Sequence, residues 1–349
     1  MRFRYPVAIA LVLAAISSPT ASAATCTWTP TVLPLPATMT MGGVVAADSQ
    51  GGYAGRAERP YTAPGGGAAH VMRWSGGTTT DYGTVPGFGL HPSVTGVNRN
   101  GLVVGSTDAA SGDRTRAFRS VGTALQPLPE PAGVTDSWAT GVNDNGDIVG
   151  NVGTTAVSGG STYFVRAPVL WPANAPGTVV KVTAGLPTTG QAIAKGIDQD
   201  GTVLVEHFRT TTSSVDPDAL YLWRAGTARA LPVPANTSSV TGRAIANGRV
   251  AGGSSPFGDL RATVWEQDGT VVKPVDADLT TSINRTGQTV GWKVGHSLSI
   301  MYSVWQGTAK VGTFSGTWGL TVSADNGTVA GWYRVVANTL SQPAYFRCL

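Results

Sequence analysis

A ten-residue phrase that recurs seven times constrains this chain more than any other feature of its sequence. The clearest copies are Gly-Val-Asn-Arg-Asn-Gly-Leu-Val-Val-Gly at residues 96–105 and Gly-Val-Asn-Asp-Asn-Gly-Asp-Ile-Val-Gly at residues 141–150. Looser copies end at Gly55, Val205, Gly252, Gly291 and Gly331. Recurrence at a period of about 40 to 55 residues is typical of a solenoid, a propeller or another repeat array.

Each copy contains a turn between two runs of β-forming residues. Glycine occupies the turn in all seven copies: Gly51, Gly101, Gly146, Gly201, Gly248, Gly287 and Gly327. An Asn or Asp stands three residues earlier in five of them: Asp48, Asn98, Asn143, Asp198 and Asn284. Glycine readily adopts the positive φ that a tight hairpin turn needs. Each copy therefore predicts a β-hairpin.

A third β-rich run follows each hairpin, and in five copies it ends in tryptophan: Trp74, Trp171, Trp223, Trp265 and Trp305. A short turn and a fourth run come next, and no segment shows helical periodicity. Four antiparallel strands per copy predict an all-β fold, a seven-bladed β-propeller of four-stranded blades, with residues 24–349 as a single domain. The first strand carries small residues such as Ala46, Gly96 and Gly141, which suit the crowded centre of a propeller.

The two ends of the chain are expected to close the ring together. The last copy stops after its third strand, whereas residues 27–36 resemble an isolated fourth strand. We therefore expect the N-terminal strand to pair with the C-terminal strand as the outermost strand of the last blade. Cys26 and Cys348 flank these two strands, and an even cysteine count in an oxidising compartment favours a disulfide between them.

The first 23 residues have the pattern of a secretory signal peptide. Arg2 and Arg4 precede a short apolar run, and Ala21-Ser22-Ala23 forms a small-residue cleavage site. Removing both arginines lowers the formal charge from +4 to +2, and no basic run follows. We therefore predict a secreted protein with no nucleic-acid partner and no membrane insertion after cleavage.

The phrase Gly-Val-Asn-x-x-Gly-x-Val-Val-Gly, followed by an Ala-Phe or apolar-Trp run, resembles the repeat of the HAF family of bacterial extracellular proteins. The resemblance covers essentially the whole chain after residue 23, and it is strongest in the second and third copies. It implies export and repeated β-structure, but no agreed reaction.

The sequence shows no recognisable catalytic or metal-binding motif. Its four histidines, His70, His91, His207 and His296, stand apart, without the short spacing of metal ligands. There is no Gly-x-Ser-x-Gly elbow and no phosphate-binding loop. We therefore predict neither a metal site nor a cofactor.

Candidate ligand contacts lie in the loops between strands two and three and between blades, which vary in length and emerge on one face. Variable loops on a rigid scaffold are common binding sites. The candidates are Trp138, Tyr163, His207, Asp218, His296, Trp318, Trp332 and Arg334. Trp138 and Trp318 are expected at the mouth of the axial channel, although both indoles could instead fill gaps between blades.

Two functions remain open from the sequence. The first is a non-enzymatic, monomeric binding module for an extracellular glycan, peptide or partner protein. The second is a secreted hydrolase or lyase that uses Glu206, His207 or His296 as acid or base. A cleft with two carboxylates, or with a histidine and a carboxylate, in hydrogen-bond reach would favour the enzyme, whereas an unpaired aromatic groove would favour binding.

Overall fold

The computed structural model describes residues 27–59, 67–109, 111–112, 114–158, 161–209, 217–256, 258–295, 299–334 and 340–349. These residues form seven four-stranded antiparallel sheets, and the same residues contain no helix. Six sheets contain four strands that are consecutive in the chain. The all-β, seven-bladed propeller predicted from the repeat is therefore confirmed. The predicted signal peptide and Cys26 lie outside the described residues.

Blades 1 to 4 follow the chain in order, and the innermost strand of each comes first. Blade 1 contains β2 (Met41–Ala47), β3 (Tyr53–Glu58), β4 (Ala69–Ser75) and β5 (Thr78–Gly83). Blade 2 contains β6 (Ser93–Val97), β7 (Val103–Asp108), β8 (Thr115–Val121) and β9 (Ala124–Pro127). Blade 3 contains β10 (Asp136–Val142), β11 (Ile148–Ser158), β12 (Ser161–Trp171) and β13 (Val180–Lys181). Blade 4 contains β14 (Gln191–Ile197), β15 (Val203–Phe208), β16 (Ala219–Arg224) and β17 (Thr227–Ala230).

Blades 5 and 6 repeat this order, and blade 7 joins the two ends of the chain. Blade 5 contains β18 (Thr237–Ala246), β19 (Arg249–Pro256), β20 (Arg261–Trp265) and β21 (Val271–Val272). Blade 6 contains β22 (Leu279–Ile283), β23 (Gln288–Val294), β24 (Ile300–Gln306) and β25 (Ala309–Ser315). Blade 7 contains β26 (Trp318–Ser323), β27 (Val329–Tyr333), β28 (Gln342–Cys348) and, outermost, β1 (Trp28–Val32).

The pairing of β1 with β28 confirms the predicted closure of the ring. The two strands are antiparallel, and Trp28 lies opposite Cys348 while Val32 lies opposite Ala344. The Trp28 indole also donates a hydrogen bond of 3.1 Å to the Val311 carbonyl of blade 6. The N-terminal strand therefore completes blade 7 and also contacts the preceding blade.

The Asn or Asp of each hairpin turn stabilises the turn and, in several blades, joins it to the next blade. The Asn98 side-chain oxygen accepts hydrogen bonds from the backbone N–H groups of Asn100 and Leu102, at 3.1 and 3.0 Å. Its amide nitrogen donates to the Asn143 carbonyl of blade 3, at 2.9 Å. Asn284 makes the equivalent bond to Ala324 of blade 7, at 2.8 Å. These buried side chains satisfy backbone groups that would otherwise lack partners.

The tryptophans that end the third strands hold neighbouring blades together. Each indole N–H donates to a backbone carbonyl in the connection before its own blade, at 2.7 to 3.0 Å, and the acceptors are Pro34, Pro129, Ala184, Pro232 and Val275. Trp74, Trp265 and Trp305 are at most 2% exposed. Each ring therefore fills the widening gap between two sheets and satisfies its own polar atom.

Every innermost strand has a β-bulge at the same place. The shared register shift falls at Val45, Thr95, Thr140, Lys195, Arg243, Thr281 and Thr321, and the strand of blade 5 has a second shift between Thr237 and Ser239. A bulge brings the backbone of this strand close to the second strand. A Cβ placed on Gly150, for example, would lie 1.9 Å from the Trp138 carbonyl oxygen. This close approach explains the glycine that ends the repeated phrase in six blades.

Candidate functional site

The seven bulge residues line a channel along the propeller axis. A cavity of about 280 Å³ is lined by Val45, Thr95, Thr140, Lys195, Arg243, Thr281 and Thr321, together with their neighbours on the innermost strands. A bulge changes the direction of a side chain relative to the regular pleat. The repeated bulge therefore supplies one channel-lining side chain from each blade, which gives four threonines, one valine and two cations.

The threonine hydroxyls of the channel donate to backbone carbonyls. Thr95 Oγ1 lies 2.9 Å from the Ala139 carbonyl of blade 3, and Thr321 Oγ1 lies 2.7 Å from the Val44 carbonyl of blade 1. Thr140 and Thr281 make longer contacts of 3.4 and 3.3 Å with carbonyls of their own blades. Once a hydroxyl proton is donated, the oxygen keeps lone pairs that can accept a hydrogen bond from a ligand.

The two cations of the channel differ in their partners. Lys195 Nζ lies 3.5 Å from a carboxylate oxygen of Glu206, a side chain that is only 4% exposed. The other Glu206 oxygen accepts hydrogen bonds from Thr241 and from the Gly242 backbone, at 2.7 and 2.9 Å. Arg243 has no carboxylate within salt-bridge distance among the described residues, and its side chain is exposed to the channel. Its charge is therefore available to a ligand.

A second cavity opens where the innermost strands begin, on the face that carries the variable loops. It has a volume of about 280 Å³ and lies among blades 2, 3 and 4, with Trp138, Arg166 and Lys195 in its wall. The Arg166 guanidinium carbon lies 5.2 Å from the centre of the Trp138 ring, and Phe164 packs edge-on against that ring at 5.4 Å. We call this cavity the mouth pocket. Its lining shares Thr95, Thr140 and Lys195 with that of the channel cavity, so the two cavities are neighbours along the innermost strands.

The second and third strands of blade 3 are longer than those of the other blades and project beyond this face. The register of β11 and β12 continues from Ile148 opposite Trp171 to Ser158 opposite Ser161. The innermost strand β10 accompanies β11 only as far as Gly153. Beyond that residue the two strands form a free hairpin arm at the side of the mouth pocket.

The opposite end of the channel is crossed by an ion pair. Arg285 of blade 6 reaches Asp144 of blade 3 at 3.3 Å, and it also contacts Asp325 of blade 7 at 3.2 Å. Asp144 in turn accepts hydrogen bonds from the Ser49 hydroxyl and the Arg99 backbone. The Gln199 side-chain oxygen of blade 4 accepts a hydrogen bond from the Asp144 backbone, so turns from six blades meet at this end. A cavity of about 160 Å³ at this end is lined by four aspartates, Asp48, Asp144, Asp198 and Asp325, and by Arg285.

The predicted residues His207 and Asp218 are neighbours in blade 4, but both are occupied. His207 is 5% exposed, and its Nδ1 and Nε2 lie 3.0 Å from Asp218 and 2.8 Å from the Thr189 carbonyl. Arg209 donates to the second Asp218 oxygen at 2.6 Å. Partial burial works against ionisation, but the hydrogen bonds from His207 and Arg209 hold the pKa of Asp218 below its ordinary value. Neither ring nitrogen of His207 is left to exchange a proton with a substrate.

The predicted residues Trp318, Trp332 and Arg334 lie together in blade 7, far along the ring from Trp138. Trp318 stacks on Phe346, with ring centres 4.8 Å apart, and also contacts Phe314 and Tyr333. It belongs to the apolar cluster between blades 6 and 7. The Arg334 guanidinium lies 5.0 Å from the Trp332 ring. This placement favours a packing role for Trp318, the alternative that the sequence left open.

The eight predicted contacts therefore do not form one site. Trp138 belongs to the mouth pocket, whereas the other described side chains lie in blades 4 and 7. The side chain of Tyr163 and the whole of His296 lie outside the described residues. The sequence analysis missed Lys195, Arg243 and Arg166. The first two could have been found, because both precede a small inner-strand residue, at the position where four other copies carry threonine.

The described part of the chain contains no group of three or more His, Cys, Asp or Glu side chains that could hold a metal ion. Within the same residues, no helix is long and apolar enough to cross a membrane.

The fold defines the chain as a β-propeller, and comparison with solved structures gives the same class. The chain is similar to a prolyl endopeptidase, with 11% identity and a TM-score of 0.57 over 89% of this chain and 50% of that one. It is also similar to the acylaminoacyl peptidase of Pyrococcus horikoshii, with 10% identity and a TM-score of 0.54 over 88% and 52%. The chain thus spans about half the length of each peptidase.

A catalytically inactive virginiamycin B lyase from Staphylococcus aureus, solved with quinupristin, matches over 93% of this chain and 100% of its own, with 11% identity and a TM-score of 0.49. No protein-family model and no curated protein matches the chain. At these identities the structural matches establish the fold alone.

Proposed function

We propose that this protein is a secreted, non-enzymatic binding propeller that takes its ligand through the mouth pocket into the axial channel. The observation that carries the proposal is the placement of one aromatic and three cationic side chains in the walls of two adjacent cavities: Trp138, Arg166, Lys195 and Arg243. Aromatic and cationic side chains on a rigid scaffold bind with little loss of conformational freedom. The fold supports such a site, because each blade holds its channel residue on a hydrogen-bonded strand.

The state of the candidate acids and bases supports binding over catalysis. A general acid or base must reach the reacting atom through a free position. Glu206 is 3% exposed, and its two oxygens are taken by Lys195, Thr241 and Gly242. His207 has both ring nitrogens in bonds to protein atoms. These groups join strands and blades to one another.

One observation favours the alternative of a secreted hydrolase or lyase. His70 Nδ1 lies 2.9 Å from Asp81, at the outer part of blade 1, and both side chains are partly exposed. This is the histidine–carboxylate pair that a proton-transfer site needs. It lies outside the residues that line the channel and the mouth pocket. Turnover of a polysaccharide or peptide that is lost in His70→Ala would establish the enzyme.

Replacing Trp138 by Ala is expected to weaken ligand binding at least tenfold while the propeller stays folded. The ring is half-buried and forms the wall of the mouth pocket between Phe164 and Arg166, so its loss removes contact area and the support of Arg166. Ligands are first identified by screening the mature protein on glycan and peptide arrays. Affinities of the hits are then measured by calorimetry.

Trp292→Ala is the matched control for this experiment. Trp292 is also half-buried, in the second strand of blade 6, but it does not line the channel or the mouth pocket. The control protein should bind like the wild type. Equal affinity of the Trp138→Ala protein and the wild type for every hit would overturn the proposed site.

We also propose export and membership of the HAF-repeat family for this chain. The basic start, short apolar run and small-residue cleavage site of residues 1–23 support export. The seven hairpin turns support the family resemblance, because all seven turn glycines, from Gly51 to Gly327, have φ between 71° and 90°. N-terminal sequencing of the protein recovered from culture medium, with Ala24 as the expected first residue, tests the export.

A disulfide between Cys26 and Cys348 is expected to fasten the closing strand. Cys348 lies opposite Trp28 in the register of β1 and β28. Trp28 follows Cys26 by only two residues in the sequence. A cross-link over so long a loop contributes about 5 kcal/mol on the chain-entropy model. Thiol titration of the denatured, exported protein should find no free thiol, and reduction should lower the melting temperature. Two titratable thiols in the exported protein would contradict the bridge.

A further inference from the structure

We infer that the ligand of the axial channel is an acidic sugar, a uronic acid residue at the end of a glycan chain. This inference rests on the proposed binding function and names the chemistry of the ligand at the same site. The basis is the charge and hydrogen-bonding capacity of the side chains that the channel and the mouth pocket present.

The wall of the site is positively charged over three successive blades. Arg166 of blade 3, Lys195 of blade 4 and Arg243 of blade 5 line the mouth pocket or the channel, and the described lining of both cavities contains no Asp or Glu. Only Lys195 has a carboxylate partner among the described residues, Glu206 at 3.5 Å. A carboxylate on the ligand would therefore meet two cations that have no anionic partner in the described part of the chain, Arg166 and Arg243, beside a Lys195 that is shared with Glu206.

The threonines of the channel distinguish a sugar from other anions. The hydroxyls of Thr95 and Thr321 donate to backbone carbonyls at 2.9 and 2.7 Å, so their oxygens keep lone pairs for a further hydrogen bond. A sugar ring carries several hydroxyl donors that match such acceptors. An acidic peptide supplies a carboxylate, but its other donors are backbone N–H groups spaced along the chain rather than hydroxyls around one ring. The combination of cations and hydroxyl acceptors thus favours a hydroxyl-rich anion.

The shape of the channel favours a terminal residue. The Arg285–Asp144 pair crosses the end away from the mouth pocket, and the cavity at that end is lined by four aspartates, so an acidic chain would meet like charges there. The channel cavity of about 280 Å³ is large enough for one sugar ring but not for a long oligosaccharide. The rest of a glycan would leave past Trp138 and the hairpin arm of β11 and β12.

Arg243→Met is the variant that tests the charge requirement. Arg243 has no carboxylate partner among the described residues, so replacing it leaves no buried carboxylate without a cation. Replacing Lys195 would instead leave Glu206 buried without its cation, which is destabilising in itself. Arg229→Met, on the exposed outer strand of blade 4, is the matched control because it removes the same charge away from the channel.

Calorimetry measures the binding of three ligands: trigalacturonic acid, its neutral methyl ester and a short poly-aspartate peptide. The proteins compared are the mature wild type and three variants, Arg243→Met, Arg229→Met and Trp138→Ala. We expect the acid to bind at least tenfold more tightly than its ester, and Arg243→Met to lose on the order of tenfold in affinity, as for a charged hydrogen bond. Arg229→Met should bind like the wild type, and melting curves should show both arginine variants folded.

Equal binding of the acid and its ester, or an affinity that Arg243→Met leaves unchanged, would overturn the acidic-sugar assignment. Poly-aspartate binding that depends on Arg243 and exceeds binding of the sugar acid would overturn it in favour of an acidic peptide. In these cases the binding function still stands if any array ligand depends on Trp138. Failure of Trp138→Ala to affect any ligand would remove the proposed function itself.

Discussion

Replacing Trp305 by Ala is expected to lower the free energy of unfolding by about 3–5 kcal/mol, the usual cost of removing a large aromatic side chain from a core. Trp305 is fully buried, and it packs with Ala262 and Ala277 between blades 5 and 6. Its indole N–H also bonds to the Val275 carbonyl, at 2.9 Å. The substitution leaves a cavity and an unpaired carbonyl. Urea denaturation of the purified protein measures the change.

Two variants separate packing from hydrogen bonding at this position. Trp305→Phe removes the N–H donor but keeps most of the ring, so its cost should be clearly smaller than that of Trp305→Ala. Trp292→Ala removes a half-buried indole from the same blade and should cost less still. A loss below about 1 kcal/mol for Trp305→Ala would show that this ring does not support the contact between the blades.

Gly150→Ala is expected to destabilise blade 3 by more than about 3 kcal/mol, because a Cβ at this position has no free space. The added atom would lie 1.9 Å from the Trp138 carbonyl oxygen and 2.9 Å from the Cα of Ala139. Both neighbours are backbone atoms of the innermost strand, so a side-chain rotation cannot relieve the clash. Thermal unfolding followed by circular dichroism measures the effect.

The matched control is Gly43→Ala, in the innermost strand of blade 1. A Cβ there would meet only the Trp332 Cβ, at 3.6 Å, an ordinary contact. This variant should melt close to the wild type. Blade 4 carries a fully buried Val205 where Gly150 stands in blade 3, and nothing in the described contacts explains how that blade accommodates it. A stable Gly150→Ala protein would show that the innermost strand of blade 3 can shift in the same way.

The repeat predicted the blade count and the ring closure because both depend on patterns that are local in sequence. The hairpin glycines require positive φ, and the tryptophans mark the ends of third strands wherever these fall in the chain. The role of the last glycine was not predictable from a single copy. It follows from a bulge that brings two backbones together, and the sequence contains no direct signal of that distance.

The candidate site was predicted only in part, because side-chain direction decides which residues share a cavity. Trp138 and Trp318 occupy similar places in their strands, yet one lines the mouth pocket and the other packs on Phe346. His207 and Asp218 are hydrogen-bonded to each other, and His207 is buried with both ring nitrogens in bonds to protein atoms. Lys195 and Arg243 escaped notice because their residue types differ from the threonines at the same repeat position.

The pairing of β1 with β28 also determines where the ring can open. Every other pairing within the described sheets joins strands that are consecutive in the chain, so each forms locally, whereas this one joins strands from opposite ends of the chain. Closing so long a loop costs chain entropy that a hairpin does not. Without the proposed disulfide, the last blade is therefore expected to complete last and to release its outer strand first. In the reduced protein, amide hydrogens of β1 should exchange with solvent through this local opening while the other blades remain protected.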